Sequence, residues 1–191
     1  MAEVTEANRS LARTVGAVFG GRPRVTRFWD GSHESHVEIL TSAGQPQEGV
    51  TSYATIGLSD TPLPGRVVPP LGVELVGVCY NDIAAYPKVL ARAAFQVINS
   101  GWRCEPGAVF PGVVSAHLET ALNHLLLAPP FLWEDELPSR VVGDKTVAWL
   151  LALPISEGEA DYRRRHGADA LEDLFERAQI DIFDIGRPSV A

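Results

Sequence analysis

The chain has 191 residues, of which 46% are apolar and 21% charged, and a formal net charge of −8. That profile excludes an intrinsically disordered chain and a fibrous repeat, and fits one well-cored domain spanning residues 1–191. The acid excess is concentrated: residues 131–191 hold 13 acidic against 7 basic side chains, which argues against nucleic acid as a partner and fits either a solvated surface, the reading charge alone favours, or a face for a basic protein.

The opening stretch MAEVTEANRSLART has two early glutamates and no apolar core segment, so it matches neither a signal peptide nor a membrane span. The expected location is therefore the cytoplasm, with no membrane partner. A first helix is predicted from Glu3 to Phe19, because Val4, Leu11, Val15, Val18 and Phe19 share a face at helical spacing. Gly20-Gly21 ends it. A hairpin follows, with strands at Val25–Trp29 and His36–Leu40 around an Asp30-Gly31 turn. Thr51 to Leu58 is a third strand and Gly72 to Tyr80 a fourth, separated by a loop with prolines at 62, 64, 69 and 70.

Asn81 is the expected N-cap of a long second helix, with Ile83, Tyr86, Leu90, Ala94 and Val97 as its buried stripe and a stop near Gly101. Residues 101–140 are proline-interrupted and irregular, with short strands at Ala108–Phe110 and His124–Leu127. Lys145 to Leu153 reads as the central strand, since Val147, Trp149 and Leu151 make one alternating face apolar and Ala148, Leu150 and Ala152 the other. Ser156 with Glu159 forms a capping box, and Asp169 with Glu172 a similar acidic cap for a last helix striped by Leu171, Leu174, Phe175 and Ala178. Asp181 to Val190 is read as a final strand and tail. The element order gives an α+β fold: a mixed, mostly antiparallel β-sheet flanked by α-helices.

Little in this order carries catalytic chemistry. His33 and His36 point to opposite faces if extended, and His117 and His124 align only on a helix, so no metal site is expected. Gly57-Leu58-Ser59-Asp60 has the start of a nucleophile elbow but carries Thr61 where its second glycine belongs. Ser59 and Asp60 are read instead as a structural turn, their side chains bonding to nearby amides. The glycines at 16, 20 and 21 follow a helix and do not open one, so no phosphate loop is present. Glu134-Asp135-Glu136 is a hydrated carboxylate run, and Arg163 and Arg165 stand at i,i+4 from Glu159 and Asp161 and are expected to pair with them. Cys79 and Cys104 are expected as free, buried thiols. The chain is thus read as a non-enzyme with no cofactor and no small-molecule substrate.

Tyr53-Ala-Thr-Ile-Gly-Leu-Ser-Asp60 resembles the aromatic-x-x-x-G-L-S-D signature of Suppressor of fused domains. Gly72-Val-Glu-Leu75 resembles their G-x-E-L strand, and Leu90-Ala-Arg-Ala-Ala-Phe-Gln96 their L-A-R-x-x-F-Q helix. Ala170-Leu-Glu-Asp-Leu174 and Asp181-Ile-Phe-Asp-Ile-Gly-Arg187 continue the match in order. The resemblance implies a protein-binding domain without catalysis. Animal members hold a transcription-factor segment and carry a second domain, which this chain is expected to lack. Stand-alone members resemble bacterial immunity proteins, which neutralise a toxin by binding it.

The family's partner-contact region matches Gly101 to Glu105 here, which makes Glu105 a candidate contact, although Ala93 replaces the aromatic of the animal proteins. Trp102 is either an interface anchor or a core aromatic. Glu134, Asp135 and Glu136 are the candidate acidic surface for a basic toxin, and Asp184 and Arg187 are candidates to pair with each other. The other readings are a regulatory module for a cytoplasmic protein and, behind it, a hydrolase.

Overall fold

Central strands buried on both faces along most of their length build a mixed eight-stranded sheet. The computed structural model describes residues 4–63, 68–80 and 83–191. The strands are β1 (Arg24–Trp29), β2 (His36–Ala43), β3 (Val50–Ile56), β4 (Leu71–Tyr80), β5 (Val109–Phe110), β6 (His124–Ala128), β7 (Arg140–Val142) and β8 (Lys145–Ile155). The helices are α1 (Glu6–Phe19), α2 (Tyr86–Ser100), α3 (Glu157–His166) and α4 (Ala168–Ala178). Strand order is β1-β2-β3-β4-β8-β6-β5, with β7 pairing β8 off that path. Every pairing is antiparallel except β4 with β8, where Leu71 to Val76 run alongside Thr146 to Leu151. The architecture is α+β with a mostly antiparallel sheet between helices, as the element order implies.

Each face of the sheet meets a different helix. Leu11, Val15 and Phe19 of α1 pack on Leu40, Ala54, Ile56, Val76, Val147, Trp149 and Leu151. Tyr86, Val89, Leu90 and Ala93 of α2 pack on Val37, Ile39, Tyr53, Leu75, Leu150 and Ala152. β8 therefore divides its side chains between two cores as its double apolar alternation predicts. Its far end joins a third cluster, in which Leu153 and Ile155 meet Leu171 and Phe175 of α4.

Several boundaries differ from expectation for local reasons. α1 starts at Glu6 because the Thr5 hydroxyl accepts the Asn8 amide at 3.1 Å, capping the first turn. α2 starts at Tyr86, with Pro87 pre-setting the first turn and Ala85 at the cap; Asn81, the expected cap, lies outside the described residues. The Ser156–Glu159 capping box forms in both directions. Asp169 does not cap α4: Gly167 alone separates α3 from α4, at φ 95, and Asp169 falls inside the first turn.

Asp181 to Val190 forms no strand. Asp181 and Asp184 accept the amides of Phe183 and Gly186 through their own carboxylates, folding the segment into turns that compete with a ladder. β7 adds an unexpected strand at the end of the stretch read as irregular, placed by a turn at Gly143 onto β8. Among the described residues no helix is long and apolar enough to cross a membrane.

Candidate functional site

The G-L-S-D segment is the hub of a buried polar network. Gly57 adopts φ 100, turning the end of β3 into a short 3₁₀ turn over Leu58–Asp60. Glu74, inside apolar β4 and fully buried, accepts from Thr55 Oγ1 (2.6 Å), Ser59 Oγ (2.7 Å), the Gly57 amide (2.9 Å) and the Ser59 amide (3.1 Å). Lys145, at the start of β8, donates to Ser59 Oγ at 2.9 Å and pairs with Asp60 Oδ1. The second oxygen of Asp60 accepts from Asn8 Nδ2 of α1 at 2.8 Å. One network thus ties α1, β3, β4 and β8.

The expectation that Ser59 and Asp60 bond to nearby amides is corrected in detail. Glu74 takes the turn amides, because its carboxylate reaches both from beneath; Ser59 and Asp60 take side-chain partners. Gly72 of the G-x-E-L strand has a matching reason: a Cβ there would lie 2.5 Å from the Ser59 carbonyl oxygen. Burial pushes the Glu74 carboxyl above the usual range, with the four donors opposing that shift. Burial, with Glu74 nearby, also raises the Cys104 thiol to about 12. Cys79 and Cys104 are both free and buried.

A serine 2.9 Å from a lysine has the parts of a Ser–Lys nucleophile, but the geometry opposes that use. Ser59 is 3% exposed and donates its hydroxyl proton to Glu74, while the lysine donates to the serine and to Asp60. Both groups are engaged within the network. Among the described residues no three His, Cys, Asp or Glu side chains converge to hold a metal. His124 instead lies in β6, accepting the Gly112 amide at Nδ1 and pairing with Glu157 at Nε2.

The candidate contact residues do not form one patch. Gly101, at φ 64, caps α2 and directs the chain so that the Trp102 amide donates to the Gln96 carbonyl. Trp102 is 37% exposed and stacks on Phe110 at 5.4 Å, so it is both packed and accessible. Glu105 is exposed and pairs with Arg103 at 3.5 Å. Both sit over the core on the α2 side. Glu134, Asp135 and Glu136 are exposed just beyond a 3₁₀ turn, Phe131–Trp133, on the α1 side. Trp133 stacks there on Phe19 at 4.7 Å, and Leu137 is buried beside it, so the carboxylates stand on a rigid base.

A fully buried ion pair escaped the sequence pattern. Arg187 forms a bidentate pair with Glu159, Nη1–Oε1 at 2.6 Å and Nη2–Oε2 at 3.0 Å, both side chains buried. Glu159 also accepts the Ser156 and Val190 amides, and Arg187 lies over the Phe175 ring. Asp184 is therefore not the partner of Arg187, and Arg163 is not the partner of Glu159. Asp161 does pair locally, with Arg164 and Arg165. The capping box hid the pair, since it already assigns Glu159 a local role.

The Suppressor of fused protein (SUFU) family matches residues 33–188 of the chain. The immunity protein YqcF of Bacillus subtilis (strain 168) is 47% identical over 189 residues, covering 98% of each chain. Among solved structures, a Suppressor of fused homolog from Neisseria gonorrhoeae superposes with a TM-score of 0.76 at 18% identity, covering 97% of each chain. A chain of a Sufu–Fu complex gives 0.67 at 14% identity, over 96% of this chain and 92% of that one. Drosophila Suppressor of Fused also gives 0.67, at 13% identity, over 94% of this chain and 50% of that one.

Proposed function

The chain belongs to the Suppressor of fused family, and from that membership we propose that it is a non-catalytic immunity protein that binds and neutralises a cognate toxin in the cytoplasm. The observation that carries this reading is its 47% identity, nearly end to end, with a protein named as an immunity protein. The burial of Ser59 and Lys145, each held by partners within the network, supports a binding role over a hydrolytic one.

The toxin surface that suits this chain is basic, as a groove built to hold nucleic acid is. The rigid Glu134–Glu136 run would steer such a surface, and Trp102 with Glu105 would supply a second, packed contact. These two sets occupy opposite layers, so a partner touching both must reach around the sheet. Rim charges act mainly on association, and screening shortens to about 8 Å at physiological salt.

The test is co-expression with candidate toxins, beginning with any that a neighbouring gene encodes, followed by growth and binding measurements. Growth should be restored and a stable complex isolated, with association slowing as salt rises. Glu134→Gln, Asp135→Asn and Glu136→Gln together should lower the association rate more than they raise dissociation, and Trp102→Ala should do the reverse. Toxicity unrelieved by the chain, with no complex formed, refutes the reading.

A further inference from the structure

The outer face of α2 and the β1–β2 turn enclose an open groove of about 580 Å³, whose lining includes Phe28, Trp29, Phe95, Lys88, Arg92 and Gln96. This volume lies within the roughly 300–1,000 Å³ of ordinary ligand sites. Its end is fixed in shape. Asp30 accepts from Ser32 Oγ, the Glu34 and Ser35 amides and Asn99 Nδ2, and Ser35 donates to Asn99 Oδ1, which fastens the turn to α2.

The charge of the groove is opposite to that of the molecule. Lys88 and Arg92 stand one turn apart on α2, exposed, and neither side chain has a hydrogen bond or ion pair with another described residue. The one carboxylate in the lining, Asp30, has its oxygens occupied by four donors. His117 completes the wall, and burial together with Arg92 and Lys88 holds its pKa below the ordinary value, which keeps the imidazole neutral near pH 7. The rings of Phe28, Trp29 and Phe95 share the lining with these cations.

We propose that this groove seats an extended acidic segment of a protein partner. A large apolar side chain of that segment lies against Phe28 and Phe95, and flanking carboxylates meet Lys88 and Arg92. A nucleic acid running beyond these two cations meets an otherwise acidic molecule, whereas a short segment meets chiefly the local pair. The site is separate from the acidic surface offered to a basic toxin and does not depend on the immunity reading.

Selection of random dodecapeptides on the purified full chain tests this without a toxin. Sequences pairing an aromatic residue with two or more carboxylates should be enriched. The affinity of an enriched peptide, followed by fluorescence anisotropy, should fall at least about tenfold in the Lys88→Glu/Arg92→Glu variant, whose changes are on the surface and should leave the circular dichroism spectrum unchanged. Phe95→Ala should weaken binding while keeping its salt dependence. Absence of such enrichment, equal affinity in the charge-reversed variant, or displacement of the peptide by a single-stranded oligonucleotide at equal charge overturns the proposal.

Discussion

Glu74 places a carboxyl group in the middle of an apolar strand, and four donors are arranged to receive it. Because burial raises its pKa, the folded state holds the Glu74 proton more tightly than the unfolded state does. Its contribution to stability is then fullest below the ordinary 4.5 and declines as pH rises from there through the folded value. Glu74→Gln should cost about 1–3 kcal/mol, since an amide presents N–H groups to donors already in place. Denaturant melts of the two proteins across pH should show the gap between them narrowing as pH rises. A gap that widens would mean the donors outweigh burial and favour the ionised form. The sequence singled out the Ser59–Asp60 turn and the G-x-E-L strand, but not that the glutamate of one holds the turn of the other. That relation arises only when β3 and β4 pair. An acid within an apolar strand run was the available signal.

At the scale of elements, patterns that repeat within one segment were legible and patterns that depend on distant partners were not. The double apolar alternation of β8 and the stripe of α1 announced both layers of the core. The Asp181–Val190 segment misled, because its alternating Ile and Phe residues suggest a strand while its aspartates fold it into turns. What secures this tail is the Arg187–Glu159 pair, which holds it against the first turn of α3. Arg187→Met should cost about 3–5 kcal/mol by leaving Glu159 buried and uncompensated, whereas Arg187→Met with Glu159→Gln should recover much of that loss. A double-mutant cycle measured by chemical denaturation reads the coupling directly. Additive losses would show that the pair does not act as a unit. The candidate contacts were less legible still: Trp102 and the Glu134–Glu136 run were each named from residue type, and only packing shows that they face different layers.

Across the whole molecule, the sheet is two antiparallel portions joined along a single parallel seam, β4 against β8. A ribosome delivers these portions in sequence. β1 to β4 can pair as they emerge, through antiparallel neighbours close in the chain. The far edge of β4, Leu71-Gly-Val-Glu-Leu-Val76, must then wait bare until Thr146 to Leu151 have been made. At roughly 5–20 residues per second this wait is on the order of 4–15 s, long compared with strand pairing. An unpaired apolar edge held open for that time is an aggregation hazard and a target for chaperones. Stalled nascent chains ending just before Lys145 should therefore be captured by a chaperone and cut readily by protease. Chains extended far enough for β8 to leave the exit tunnel should resist both. Equal protection at both lengths would mean that the first portion closes its own edge, and that the seam is added to a sheet already complete without it.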